Sequence, residues 1–366
     1  MFKFLIEDKM EEHIFNGFRY FSNYGKEELP KIEHGIQIPE YLFKFCSFRN
    51  YSIDSLINNY LYASHPYELN DILDSSRLLF FTSKPIEFTA YEKLYFGERK
   101  VFKTEEELIR FYEDDIKNNC GEYLSHLFAM YFDFFGVISL SEKEDNILMW
   151  PHYTQEKGFQ IKLKSKLLMN SISDMLNSND RLVGLFPINY APKIPPIDVF
   201  RFRRFDIPLI YSSNVKLDNW DYEKEWRLLL SKPKMGVPFR KLGFSNLENQ
   251  NFIPENRYIK YGIDAIDSLC LGMNFFSGSD FYIHWKGERE IEVEPRKEEN
   301  HYGWYMQFLN FIVETFYGKV YLSGIKYEMD FNGIPYLIRT KERVEITKLQ
   351  ESKYLIERTE EIIRFK

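Results

Sequence analysis

The stretch Trp220-Asp221-Tyr222-Glu223-Lys224-Glu225-Trp226-Arg227-Leu228-Leu229-Leu230 constrains this 366-residue chain most, because it sets two carboxylates and a guanidinium beside two indoles. As a strand, its period of two puts Glu223, Glu225 and Arg227 on one face and Lys224, Trp226 and Leu228 on the other. Two carboxylates roughly 7 Å apart at Cα then share a face. Such a pair needs a compensating cation or substrate charge, or one member is held partly protonated. As an amphipathic helix, the same residues give an i,i+4 pair between Glu223 and Arg227, built from good helix formers. The residue types alone favour the helix.

The chain carries 34 Phe, 26 Tyr and 5 Trp spread along its length, which favours thick aromatic cores and aromatic-lined pockets over disorder. A formal charge of −7 gives no overall field toward nucleic acid or anionic lipid. Arg201, Arg203 and Arg204 form a local basic run that reads as a solvated turn or edge. Cys46, Cys120 and Cys270 are odd in number and far apart, without paired-Cys zinc spacing, which fits a reducing cytoplasm. The N-terminus turns acidic after six residues, so no export is expected. The apolar runs 123–140 and 302–322 are interrupted by polar residues and read as buried helices rather than membrane spans. No phosphate-binding glycine loop, Gly-x-Ser-x-Gly elbow or His-Glu-x-x-His is present, which removes NTPase, hydrolase-elbow and zincin readings.

In chain order, residues 1–40 read as a short helical arm. Tyr41-Leu42-Phe43-Lys44-Phe45-Cys46 alternates as a strand, with Lys44 among rings. Residues 53–59 suit a helix capped by Ser52, and residues 60–64 a second short strand. The loop His65-Pro66-Tyr67-Glu68-Leu69-Asn70-Asp71 follows it. Loops in that position hold ligands, though Asn70 and Asp71 equally suit an Asx-type turn that bonds only its own backbone. Residues 85–135 look helical, with a capping box at Thr104-Glu105-Glu106-Glu107. Residues 136–141 are β-like. Trp150, His152 and Tyr153 then sit on a loop leading through Gly158 into the Phe159/Ile161/Leu163 strand. His152 has no second ligand at metal spacing, so it is either a structural histidine or a substrate contact. Residues 165–186 give a helix, 188–191, 253–264 and 268–273 strands, and 281–285 pairs with 291–294. After a soft boundary near residue 297 come a helix at 304–316, a hairpin of 320–327 with 334–339, and a charged helix to residue 366. These elements predict an α+β chain: a mixed, mostly antiparallel β-sheet core with flanking helices. The expected organisation is an N-terminal arm (1–40), a main catalytic or binding domain (41–297) and a C-terminal α/β extension (298–366).

Five of these pieces occur together as Phe43-Lys44-Phe45, Asn70-Asp71, Trp150-x-x-Tyr153 with Gly158-Phe159-x-Ile161, and Lys216-x-x-x-Trp220-x-x-Glu223-x-Glu225-Trp226-Arg227. In that order they resemble the bacterial domain-of-unknown-function family 2971, over roughly residues 41–285. The family's Asn-Asp-Pro is Asn70-Asp71-Ile72 here. Its layout is similar to the ADP-ribosyltransferase fold, which includes toxin and phage-defence members. That resemblance implies a cation on the first strand (Lys44 or Arg49), a small polar or aromatic residue on the second (Tyr62, Ser64 or Tyr153), and a glutamate near the start of a later strand (Glu225 or Glu223). It also tips residues 223–230 from helix to strand.

On this resemblance Glu225 is the carboxylate that stabilises an oxocarbenium-like cation when the nicotinamide bond of NAD breaks, and Glu223 orients the acceptor. Trp150 and Tyr153 form the platform, and Lys44, Arg49 or Arg227 holds the diphosphate. NAD is then a substrate rather than a resident cofactor; a metal is not expected, and the acceptor is a protein, a nucleic acid or water. Three function classes stay open. An NAD-consuming enzyme, as a toxin or phage-defence effector, requires a pocket where Lys44, Tyr153 and Glu225 converge. A non-catalytic module sensing a nucleotide or phage component requires Glu223 and Glu225 to be tied up with Arg227 and Lys216, facing no cavity. A nucleic-acid enzyme requires a basic groove.

Overall fold

The computed structural model describes residues 10–23, 29–98, 101–242 and 245–365. Eleven strands in it share one sheet: β1 (Tyr41–Cys46), β2 (Phe135–Ser141), β3 (Phe159–Lys164), β4 (Arg181–Pro187), β5 (Glu225–Ser231), β6 (Ile266–Leu271), β7 (Phe281–Trp285), β8 (Glu290–Pro295), β9 (Val320–Met329), β10 (Pro335–Lys348) and β11 (Tyr354–Arg364). Their order is β7-β8-β11-β10-β9-β6-β3-β1-β2-β5-β4. Neighbours run antiparallel except β6 and β9, which are parallel. The chain is therefore α+β with a mixed, mostly antiparallel sheet. Strands β9–β11, which follow residue 297, continue the sheet of the preceding residues.

Apolar side chains on alternate positions feed two cores. In β5, Trp226, Leu228 and Leu230 enter one with Ile53 and Leu56 of α1 (Asn50–Ile57). Leu229 points the other way, into a second core with Val137 of β2 and with Phe128 and Phe132 of α3 (Gly121–Phe132). Between α1 and α3 in the chain, α2 (Glu105–Lys117) starts where the Thr104 hydroxyl accepts the Glu107 N–H at 3.3 Å, as its capping sequence predicts. Burying both faces of β5 requires the near-continuous Leu run that also made a helix look reasonable.

Several expected elements take a different form. The N-terminal arm is a β-meander, Met10–Phe15, Phe18–Asn23 and Lys31–Glu33, not a helix. Its first turn is Asn16-Gly17, both at positive φ (48° and 80°), the conformation that twists a tight hairpin correctly. The first nine residues of that arm lie outside the described ones. Helix α1 starts at Asn50, with Arg49 rather than Ser52 at its N-cap. The expected helix at 165–186 ends at Met175, and β4 takes over. The final segment is strand β11, with Tyr354 and Ile356 buried, where the charged residues suggested a helix. Its alternation fits the slot between β8 and β10, and that burial outweighs the helix preference of Glu and Arg.

The sheet is not continuous in its middle. β1 and β2 pair at one position, Phe43 with Ser141, and then part. Further along β2, an isolated bridge ties Val137 to Ser64, which follows the short strand Tyr60–Tyr62. A cavity opens in the split.

Close packing beside the split depends on two glycines. A Cβ on Gly158 would fall 2.0 Å from the Cys46 carbonyl oxygen at the end of β1, and one on Gly272 would fall 2.3 Å from the Glu156 oxygen. Both contacts are with backbone, which cannot swing aside. Gly158→Ala is expected to destabilise the chain by about 1–3 kcal/mol or more in urea unfolding. A loss under about 0.5 kcal/mol would show that this packing is looser than described.

Candidate functional site

The cavity in the split has a volume of about 240 Å3. Its walls come from Phe43, Lys44 and Phe45 of β1, Ser139 and Ser141 of β2, the loop after Tyr62, and Tyr153; its floor is Asp74, Lys216, Glu223, Glu225 and Arg227. Glu225 is the first residue of β5, and Glu223 ends the short 3-10 helix Asp218–Glu223. Between them Lys224 adopts the left-handed conformation at φ 43°. That turn costs about 1–2 kcal/mol in a residue with a side chain, and here both neighbouring carboxylates face the cavity.

Arg227 organises the floor. It is fully buried and lies between two carboxylates. Its Nε donates to Glu225 Oε1 at 2.7 Å, and Nη2 donates to Glu225 Oε2 at 3.1 Å and Asp74 Oδ2 at 2.5 Å. Nη1 donates to Asp74 Oδ1 at 2.6 Å and the Ser213 carbonyl at 3.0 Å. All five guanidinium N–H groups are thereby engaged. Lys216 Nζ joins from the strand Val215–Leu217, 2.5 Å from Glu223 Oε2, 3.2 Å from Glu225 Oε2 and 3.7 Å from Asp74 Oδ2. The Tyr153 hydroxyl donates to Glu223 Oε1 at 2.5 Å, and Asn70 Nδ2 reaches that hydroxyl at 3.4 Å. Burial alone would raise the Glu225 carboxyl, but Arg227 and then Lys216 outweigh it and hold its pKa at about 2. The floor thus has three carboxylates against two cations.

Lys44 is the third cation of the cavity and differs from the other two. Its Nζ donates to the Ser139 carbonyl at 2.9 Å, bridging the strands just where their backbone pairing has stopped. Among the described residues no carboxylate lies within ion-pair distance of it. Burial pulls its pKa below the usual lysine range. One N–H is spent, and a charged ammonium would keep two for a ligand.

Of the residues singled out from sequence, the fold gathers Lys44, Ser64, Asn70, Tyr153, Glu223, Glu225 and Arg227 at one cavity, and Tyr62 lines the neighbouring one. It separates the rest. Arg49 is exposed at the N-cap of α1 and lines neither this cavity nor its neighbour. Asp71 makes the Asx turn, its Oδ1 accepting the Leu73 N–H at 3.0 Å. Trp150 is fully buried, edge-on to Phe45 at 5.5 Å, with its indole N–H donated to the Glu144 carbonyl. It is core, so Tyr153 alone remains of the expected platform. His152 is exposed, 6.4 Å from the Tyr222 ring. Arg227 has no donor left for a diphosphate. Asp74 and Ser139 were not anticipated. Lys216 was, as an ion-pair partner, and a buried arginine facing one glutamate demands a second carboxylate without saying which.

Residues 149–228 match the model of a family described as a protein of unknown function, DUF2971. The matched segment supplies Tyr153, Lys216, Glu223, Glu225 and Arg227, whereas Lys44, Asn70 and Asp74 come from the preceding part of the chain. No curated protein and no solved structure matches the chain. Among the described residues, no helix is long and apolar enough to cross a membrane.

Replacing Arg227 by Met strands two buried carboxylates and is expected to cost about 3–5 kcal/mol in urea unfolding, with Arg227→Lys recovering little because it cannot bridge both acids. A loss below about 1 kcal/mol would contradict the buried sandwich.

His65, next to Ser64 in the loop after Tyr62, accepts the Tyr67 N–H at Nδ1, and its backbone N–H is donated to Glu68. Burial and then Arg257 push its pKa to about 2. The unfolded chain binds a proton near pH 6.5 that the folded chain refuses. Its stabilising contribution is therefore full above pH 6.5 and lost as pH falls toward 2, by up to about 1.4 kcal/mol per unit. His65→Asn keeps the cap acceptor without titrating. The slope of stability against pH between 6 and 4 should flatten by about one proton; an unchanged slope would contradict the burial of a neutral imidazole.

Proposed function

We propose that this chain is an NAD-consuming, ADP-ribosyltransferase-like enzyme whose reaction centre is the cavity over Glu225. The observation that carries the reading is the convergence of Lys44 from the first strand of the sheet, Glu225 from the start of a later strand, and Tyr153 on one cavity. Cation, aromatic residue and glutamate are the three groups that the resemblance called for, with Tyr153 on the helical turn Trp150–Thr154 rather than on a second strand.

In the proposed reaction the bond between the ribose C1′ and the nicotinamide nitrogen breaks, and its electron pair leaves with the ring as neutral nicotinamide. The ribosyl carbon becomes an oxocarbenium-like cation, which the Glu225 carboxylate stabilises from a fixed position. Glu225 suits that task because Arg227 and Lys216 keep it ionised and hold both its oxygens in place. A lone pair of water or of an acceptor then bonds to C1′, and Glu223, braced by Tyr153 and Lys216, orients that group and receives its proton. Lys44 is the cavity's cation for the diphosphate. A phosphate beside it restores the ammonium charge that burial disfavours.

The ion pairing of both glutamates favours a second reading, a nucleotide-sensing module of an anti-phage system that binds without turnover. Sensing by carboxylates tied up in ion pairs and facing no cavity does not describe this site, since Glu223 and Glu225 are paired and also line the cavity. Incubation with NAD separates the readings. The enzyme reading expects free nicotinamide from the wild-type protein and a fall of about 100-fold or more in Glu225→Gln, with the variant still folded by circular dichroism. No release by the wild type, with NAD binding equal in the variant, would replace it with the sensing module.

A further inference from the structure

A second cavity of about 690 Å3 adjoins the first and shares Lys44, Phe45, Ser64, Glu68 and Tyr153 with it. The first cavity alone is smaller than the roughly 300–1,000 Å3 of ordinary ligand pockets, so the two together make the larger site. The second is a tyrosine cleft, walled by Tyr51, Tyr60, Tyr62, Tyr153 and Tyr258. Tyr258 is stacked on Tyr60, with ring centroids 3.8 Å apart and 8° between planes, which makes a rigid double-ring wall. Tyr51 stands at its mouth, 67% exposed, and its hydroxyl meets the Ser47 hydroxyl at 3.1 Å. Ser52 and Ser55 of α1 add hydroxyls to the lining.

We infer that the tyrosine cleft is a nucleotide-binding subsite, in which a planar base stacks on the tyrosine rings while its phosphate reaches Lys44 at the junction with the acidic cavity. Three features select this ligand class. Tyrosine rings give flat faces that accept any base, because stacking needs no particular edge. Serine and tyrosine hydroxyls can both donate to and accept from the edge of a base. Lys44, the one cation in the lining of either cavity among the described residues that is not ion-paired, sits where a phosphate would join a base in the cleft to a sugar over Glu225. The inference deepens the NAD reading and rests on it for the identity of the group over Glu225. The nucleotide chemistry has two sources, the adenylate half of NAD or a nucleotide of an acceptor strand.

Titration calorimetry of the full chain with 5′-AMP, and with a single-stranded ten-nucleotide oligo(dA), tests the cleft. The expected result is saturable AMP binding that weakens about 5-fold or more in Tyr51→Ala and in Tyr258→Ala and is largely restored in Tyr258→Phe. Tyr51 is exposed, so its variant folds even if Tyr258→Ala does not. The same alanine variants should raise the KM for NAD more than they lower kcat. Binding of the oligonucleotide, with the same tyrosine dependence but without binding of AMP, would support the cleft and assign it to an acceptor strand. Absence of binding by both probes, or binding that neither alanine variant weakens, would overturn the inference. Tyrosine-dependent AMP binding by a protein that releases no nicotinamide would overturn the NAD-cleavage reading and leave the cleft standing.

Discussion

The buried guanidinium of Arg227 is the interaction on which the site depends. It gathers three parts of the chain that are distant in sequence: Asp74 from the loop after Tyr62, Glu225 at the head of β5, and the Ser213 carbonyl at the end of the helix Asp206–Ser212. Burying an arginine is unfavourable unless every donor is matched, and here all five are. The same matching fixes Glu225 through both oxygens. Arg227 and Lys216 keep Glu225 ionised and stationary, which is what the proposed reaction would ask of a carboxylate facing a developing positive charge. Salt bridges that would be read as structural on a surface frame, in the proposed enzyme, the reaction centre.

The second constraint is the split in the sheet. Continued pairing of β1 with β2 would have placed backbone hydrogen bonds where the cavity lies. Instead the strands part after Phe43 and Ser141, and Lys44 answers the Ser139 carbonyl with its side chain. One residue thereby satisfies a half-buried backbone acceptor and brings a cation to the wall between two cavities. The glycines at 158 and 272 permit the neighbouring turns to close against β1 and β6, so the split remains a local feature of a well-packed sheet.

Much of this was legible in the sequence, and the reasons are local. Alternation in Phe43-Lys44-Phe45 and in Phe159/Ile161/Leu163 marked strands because each buries one or both faces in the middle of the sheet. The motifs that resembled family 2971 carried nine of the residues now seen at the cavity floor and wall, from Phe43, Lys44 and Phe45 through Asn70 and Tyr153 to Lys216, Glu223, Glu225 and Arg227. Features that depend on distant partners were not legible. Asp74 looks like any loop aspartate until Arg227 arrives 153 residues later in the chain. Trp150 lay in the right motif for a ligand platform, but its indole fills the core beside Phe45. The final strand carries helix-forming charges, and the slot between β8 and β10 decides its conformation. The Asn16-Gly17 hairpin has a local signal of its own, an Asn-Gly pair between two short alternating runs.

If NAD is held across the split with its scissile bond over Glu225, as proposed, a crystal structure with an NAD analogue in which that bond is replaced by carbon–carbon will show it. This placement puts the nicotinamide riboside in the cavity beside Tyr153 and Glu225, the diphosphate at Lys44, and the adenine among Tyr51 and Tyr258. An analogue bound elsewhere, or a cavity left empty at saturating concentration, would contradict it.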